Sequence, residues 1–116
     1  MAIDKSLQTG STTMLLLKLL EENDMYGYQM IEQLQQRSDN VFALKAGTLY
    51  PLLHNLEEQG LLQSYEQTAD TGRKRKYYSI TKAGRKLLSS KEAEWRTFAG
   101  AVNQVLKGGD GLATIQ

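Results

Sequence analysis

The sequence predicts a mainly α-helical fold with a small β-hairpin: a winged helix-turn-helix followed by a long C-terminal helix. Three observations lead to this fold: leucines at helical spacing before residue 60, two β-prone runs joined by a polar loop, and a heptad-like apolar series near the C-terminus. We expect residues 1–81 to form the winged helix, residues 82–107 the long helix, and residues 108–116 a flexible tail.

The first two helices are predicted from apolar residues at helical spacing. The first runs from Thr12 to Glu22 and is nearly all apolar, with Ser11 or Thr12 as its N-cap. The second ends near residues 37–40. Its periodic residues are Tyr26, Met30, Ile31 and Leu34. Residues 41–44 are short, apolar and β-prone, so we expect a turn there that adds a brief edge strand.

The third helix has the most regular periodicity in the chain. Its core-facing residues lie at i, i+3, i+4 and i+7 and are Leu49, Leu52, Leu53 and Leu56. A helix start near Gly47 or Thr48 would place Pro51 in the first turn, where a missing N–H costs no helical hydrogen bond. Gly60 is expected to close the helix as its C′ residue.

Two strands and a long helix complete the predicted fold. The strands span residues 61–66 and 75–80, and the polar loop between them contains Gly72, so they form a hairpin. Thr81 is expected to cap the last helix. The apolar residues of that helix occupy the a and d positions of a heptad, with Lys91 at the remaining d position; they are Leu88, Trp95, Phe98, Val102 and Val105.

The composition argues against several classes of protein. The 116 residues carry a formal net charge of +1 and include no cysteine and one histidine. No catalytic constellation and no glycine-rich phosphate loop is present in the sequence, so we expect no enzyme activity, no metal and no cofactor. The longest apolar run is far shorter than the roughly 20 residues that cross a bilayer, and no signal-peptide pattern is visible, so we expect a cytoplasmic protein.

The outward side of the third helix and the hairpin both point to double-stranded DNA. In a helix-turn-helix, the start of the second motif helix enters the major groove, where polar side chains read base edges. We predict base contacts from His54 and Asn55. Phosphate contacts are expected near the helix start, from Lys45, Thr48 and Tyr50. The alternative interpretation of this surface is an ordinary solvated helix face.

The hairpin carries a run of adjacent cations that suits phosphate pairing: Arg73, Lys74, Arg75 and Lys76. The alternative role of such a run is to keep an edge strand from aggregating. A rival function class is a winged-helix module that binds a protein or sequesters small molecules without touching DNA. Such a module would not need these cations.

Several motifs together resemble the PadR family of bacterial regulators. They are Gly47-Thr48-Leu49-Tyr50-Pro51-Leu52-Leu53, Leu56-Glu57, Gly60-Leu61, Gly72-Arg73 and Lys76-Tyr77-Tyr78-Ser79-Ile80-Thr81 with Gly84; Tyr26-Gly27-Tyr28 fits the same pattern. The match spans roughly residues 10–106. The resemblance implies a homodimeric transcriptional repressor that binds a pseudo-palindromic operator. Lys45 and Asn55 depart from the usual pattern, which has Ser and Arg at these positions.

The long last helix resembles the single dimerisation helix of the family's short members. The predicted dimer interface is therefore the apolar series Leu88, Trp95, Phe98, Val102 and Val105. Trp95 is the only tryptophan, and two such indoles facing each other across a two-fold axis could sandwich a flat aromatic ligand, with Phe98 beside them. The resemblance to the family's multidrug-sensing subgroup implies such a site, whose ligand would release the repressor. The alternative is that Trp95 only packs in the dimer core.

Overall fold

A computed structural model describes residues 5–108 of the chain. Within this range the elements follow in the order α1 (Lys5–Glu22), β1 (Met25–Tyr26), α2 (Gly27–Arg37), α3 (Ala46–Glu58), β2 (Leu62–Thr68), β3 (Lys74–Ile80) and α4 (Lys82–Leu106). This order confirms the predicted winged helix with a long last helix. Apart from Gly108, the tail predicted at residues 108–116 lies outside the described residues.

The core lies between the first three helices, the sheet and the start of α4. Helix α1 contacts α2, α4 and β3, which explains why it is apolar on several sides. The largest fully buried side chains come from four helices and are Leu16, Leu17, Leu20, Met30, Leu49, Leu53 and Leu88. Each such side chain contributes about 1.5–3 kcal/mol of hydrophobic free energy when it is removed from water.

Helix α1 begins earlier than the sequence predicts. It starts at Lys5, so Ser11 and Thr12 lie inside the helix and neither of them is its N-cap. The preceding polar residues differ from good helix formers by less than about 0.7 kcal/mol each, and Gly10 costs about 1 kcal/mol. These small costs are compatible with a helix whose later turns are fixed in the core, and Thr12 is itself buried.

The small sheet has three strands in the order β1-β3-β2, with both pairs antiparallel, so it is larger than the predicted hairpin. Its edge strand is β1, which pairs Met25 with Tyr78 and Tyr26 with Tyr77. The predicted edge strand at residues 41–44 is wrong, because this segment is an irregular turn. The N–H of Phe42 donates to Ser38 Oγ at 2.9 Å and is not available for a strand ladder.

The hairpin itself is confirmed, with longer strands and a shorter loop than predicted. Strand β2 continues to Thr68 and β3 begins at Lys74, in register with each other. The N–H of Ala69 donates to the Arg73 carbonyl at 2.8 Å, which closes the loop. Gly72 has a φ of 83°, a left-handed conformation that favours glycine.

Pro51 lies further inside α3 than the sequence predicts. The N-cap is Lys45 and the helix begins at Ala46, so Pro51 falls in the second turn and not in the first. Its missing N–H leaves the Gly47 carbonyl without an i+4 donor, but both residues are exposed, so water can satisfy that carbonyl. Gly60 has a φ of 77° directly after the C-cap, as expected for a C′ residue.

The start of α4 is built into the winged helix. Thr81 Oγ1 accepts from the Gly84 N–H at 3.1 Å, which confirms the predicted cap, and donates to the Gly60 carbonyl at 2.7 Å. Leu88 is fully buried in the core of its own chain. Its predicted place in the dimer interface is therefore wrong, because the heptad begins inside the monomer. Among the described helices, none is both long and apolar enough to span a membrane.

Candidate nucleic-acid interface

Helix α3 turns a polar face to solvent. Leu49, Leu53 and Leu56 are buried against the core, and the helical period therefore directs the intervening residues outward. All five residues of this helix and its cap that we predict to contact DNA are exposed: Lys45, Thr48, Tyr50, His54 and Asn55. The sequence therefore placed them on the correct side of the helix, and their contacts with DNA stay a prediction.

His54 and Asn55 differ in what holds them. His54 Nε2 lies 3.0 Å from Glu58 Oε1, one helical turn further along. Both side chains are mostly exposed, and such exposed pairs contribute only about 0–1 kcal/mol, so a base edge can replace Glu58 as the partner of His54. The side chain of Asn55 makes no hydrogen bond with any residue that the structure describes.

The four cations of the hairpin fall into two groups. Arg73 and Lys74 are exposed near the tip and form no ion pair within residues 5–108. Arg75 lies with its guanidinium 4.3 Å from the centre of the Tyr26 ring, and Lys76 Nζ lies 3.8 Å from Glu57 Oε1. The tip cations are therefore free to meet phosphates, whereas the inner two are already engaged.

Three tyrosines from the three strands support Arg75 on the side of the sheet away from the core. The rings of Tyr65 and Tyr77 stack with centroids 5.7 Å apart, and Tyr26 meets Tyr77 edge-on at 5.5 Å. The Tyr65 hydroxyl donates to Asp24 Oδ2 at 2.7 Å, and this hydrogen bond raises the pKa of Tyr65 above its ordinary value. The ladder fixes the three strands relative to one another and holds Arg75 in place.

A cleft of about 360 Å³ opens between the start of α2, the start of α3 and the hairpin. It is lined by residues 26–28, Tyr50 and residues 73–76. The structure thus brings Tyr50 together with all four cations, while His54 and Asn55 lie further along α3. Such a cleft suits an anionic group, because it combines positive charge with a hydroxyl donor. No group of side chains suited to hold a metal ion occurs in the described part of the chain.

The sequence analysis assigned no role to residues 26–28 beyond their fit to a family pattern. The available signal was a glycine between two tyrosines at the start of a helix. It also missed Glu57 and Glu58, which hold Lys76 and His54. Their charges alternate with apolar residues in the way that any amphipathic helix shows, so the sequence alone did not distinguish them.

The outer half of α4 carries an apolar stripe that its own chain leaves exposed. The exposed fractions are 47% for Trp95, 59% for Phe98, 39% for Val102, 79% for Val105 and 77% for Leu106. The rings of Trp95 and Phe98 lie side by side with centroids 6.2 Å apart. Contiguous exposed apolar surface of this kind marks an interaction site. Leu106 extends the predicted series by one residue.

Comparison with known proteins identifies the chain's relatives. Residues 16–90 match the model of the transcriptional regulator PadR-like family. A transcriptional regulator of Mycobacterium tuberculosis is 33% identical over 85 residues, which cover 73% of this chain and 76% of the relative. The crystal structure of a PadR family transcription regulator from Clostridium difficile is 36% identical, with a TM-score of 0.72, and the match covers 83% of this chain and 98% of that one. A transcriptional regulator from Clostridium thermocellum is 31% identical, with a TM-score of 0.77 and coverage of 85% and 96%.

Proposed function

The chain belongs to the PadR-like family of transcriptional regulators, and we propose that it acts by binding a specific DNA sequence as a homodimer. Members of this family are regulators of transcription and not enzymes. The observation that carries the proposal is the cleft in which Tyr50, at the start of α3, meets the cations of the hairpin. Helix α3 and the hairpin are thereby available to one DNA duplex at the same time.

In this proposal α3 enters the major groove, which is wide enough for an α-helix. Asn55 reads a base edge because its amide has no other partner within the described residues, and His54 reads another after exchanging Glu58 for a base. Lys45, Thr48 and Tyr50 lie at the N-terminal part of the helix and contact phosphates. Arg73 and Lys74 pair with the backbone beside the groove and supply affinity that does not depend on sequence.

The dimer forms through the exposed stripe of α4, which includes Trp95, Phe98, Val102 and Val105. A stripe on one face of a straight helix fits a second copy of itself across a two-fold axis. Two-fold symmetry of the protein should be mirrored in the operator, with half-sites about 34–36 Å apart, or one turn of DNA. The pseudo-palindromic operator is thus a consequence of the dimer.

We assign the protein the role of a repressor that a flat aromatic ligand releases. The Trp95 ring is about half exposed and lies beside Phe98, so a planar molecule can stack between the two indoles of a dimer. Such a ligand would alter the packing of the α4 helices and with it the spacing of the two α3 helices. A regulator of this kind acts where the chromosome lies, so we place it in the cytoplasm.

Selection of bound sequences from a random pool of DNA duplexes tests this function. The proposal expects an inverted repeat with half-sites one turn apart, and a selected duplex that binds two protomers. A pool that stays without sequence preference would contradict specific binding. If the protein then retained no duplex at all, it would instead be an interaction module that does not use DNA.

A further inference from the structure

Gly27, the first residue of α2, is buried beneath the ring of Tyr50. A Cβ at position 27 would lie 2.6 Å from Tyr50 Cζ and 2.8 Å from Cε1, and it would collide with the hydroxyl as well. Carbon atoms do not approach this closely without repulsion, whose optimum separation is about 3.5–4.0 Å. Any other residue at position 27 would therefore displace the Tyr50 ring.

Gly47 provides the contrast. It lies on α3 one turn before Tyr50, and a Cβ there would meet nothing within 4 Å. The restriction at Gly27 is therefore not a general property of glycines in this region. It arises because α3 packs against α2 with the Tyr50 phenol at the point of contact.

The hydroxyl of Tyr50 has no partner within the described residues, although its ring is held in place. Burial raises the pKa of Tyr50, and the neighbouring Tyr28 and Tyr78 add to the shift, so the phenol stays protonated at neutral pH. It therefore remains a hydrogen-bond donor. The cleft that it lines also contains Arg73 and Lys74, whose charges attract an anionic acceptor.

We propose that Gly27 is a positioning residue for DNA binding. Because it has no side chain, the Tyr50 phenol lies across the start of α2, and its hydroxyl donates to a backbone phosphate that Arg73 and Lys74 attract into the cleft. The inference rests on the proposed DNA-binding function and deepens it. Gly27 makes no contact with DNA itself and acts only through Tyr50.

The test compares affinity for a selected duplex and for an unrelated duplex, below the unfolding temperature of every variant. Tyr50→Phe removes the hydroxyl and should weaken binding to both duplexes by about tenfold, the usual value of a hydrogen bond to a charged group. Gly27→Ala should weaken binding to both duplexes by a similar factor. Gly100→Ala is the matched control, because a Cβ at this exposed position of α4 meets nothing within 4 Å.

A double variant separates positioning from a purely structural role. Gly27→Ala/Tyr50→Ala should bind as Tyr50→Ala does, because Gly27 acts only on Tyr50. It should also be more stable to heat than Gly27→Ala, since the collision has been removed. If Gly27→Ala does not fold, recovery of folding in the double variant supports the contact, and wild-type affinity of Tyr50→Phe overturns the role of the hydroxyl.

Three further results would overturn the inference. These are wild-type affinity in a folded Gly27→Ala variant, a further loss of affinity when Gly27→Ala is added to Tyr50→Ala, and a loss confined to the selected duplex. Failure of the wild-type protein to bind any duplex would overturn the proposed function as well. That result is distinguishable, since it needs no variant.

Discussion

Lys76 Nζ lies 3.8 Å from one carboxylate oxygen of Glu57, and the other oxygen accepts a hydrogen bond from Ser64 at 2.5 Å. Glu57 belongs to α3, Ser64 to β2 and Lys76 to β3. One carboxylate thus joins the helix that we place in the major groove to both strands of the hairpin. This contact fixes the relative position of the two DNA-binding elements and neutralises one of the four cations.

The neutralised lysine should contribute less to phosphate binding than its exposed neighbour. Lys74→Ala should reduce the slope of log affinity against log salt by about 0.9, the value for one phosphate contact. Lys76→Ala should reduce it less, and Glu57→Gln should steepen it, because Lys76 is then free to pair with a phosphate. Fluorescence anisotropy with a labelled duplex at several salt concentrations measures the slopes. Equal reductions for Lys74→Ala and Lys76→Ala would show that Glu57 does not restrain Lys76.

Asn55→Ala should relax the base preference at one position in each half-site. A lost base-edge contact costs on the order of 1–3 kcal/mol at that position and leaves the other positions unchanged. His54→Ala should relax a second position by the same mechanism. Repeating the selection from a random duplex pool with each variant gives the measurement. Thr48→Ala is the control, because loss of a phosphate contact weakens binding to all sequences alike. A uniform loss for Asn55→Ala would make Asn55 a backbone contact.

Val102→Asp should convert the dimer into a monomer. The substitution places a carboxylate in the apolar stripe of α4 and its symmetry mate across the axis, so desolvation and repulsion both oppose association. Analytical ultracentrifugation should then give the mass of one chain, and affinity for the operator should fall. Ala93→Asp is the matched control, since it adds the same charge to an exposed position on the opposite side of the heptad and should leave the dimer intact. A dimeric Val102→Asp variant would place the interface elsewhere.

Planar cationic dyes should quench the fluorescence of Trp95 at micromolar concentrations. Trp95 is the only tryptophan, so the emission reports a single site. Trp95→Ala should abolish dye binding, measured by dye fluorescence, and should keep the dimer in ultracentrifugation. Phe98→Ala should weaken dye binding, because the two rings lie side by side. Unchanged Trp95 emission, or equal dye binding to Trp95→Ala, would mean that Trp95 only packs in the dimer.

Local periodicity predicted the elements whose faces are set by their own sequence. The leucines of α3 repeat with the helical period and are held by the core, so the exposed side with Asn55 followed from them. The edge strand did not follow. Strand β1 is only two residues long, and its pairing with Tyr77 and Tyr78 depends on tertiary packing, whereas the apolar residues 41–44 had the better local pattern.

Contacts between distant residues left no signal in the sequence. The heptad of α4 continues from the buried Leu88 to the exposed Val105, and periodicity alone does not distinguish a chain's own core from its partner. Gly27 and Tyr50 meet because α2 packs on α3, and neither residue has a neighbour that reveals the contact. The same holds for Glu57, whose partners lie on two strands.

The salt dependence of operator affinity most directly tests whether the hairpin and α3 bind DNA together. Wild-type protein should show a steep loss of affinity with added salt. The triple variant Arg73→Ala/Lys74→Ala/Arg75→Ala should bind all duplexes more weakly and show a flatter slope, because fewer counterions are released. It should keep the base preference of the wild type, since α3 is unchanged. An unchanged slope in the triple variant would contradict the account, because the hairpin would then not touch the phosphates.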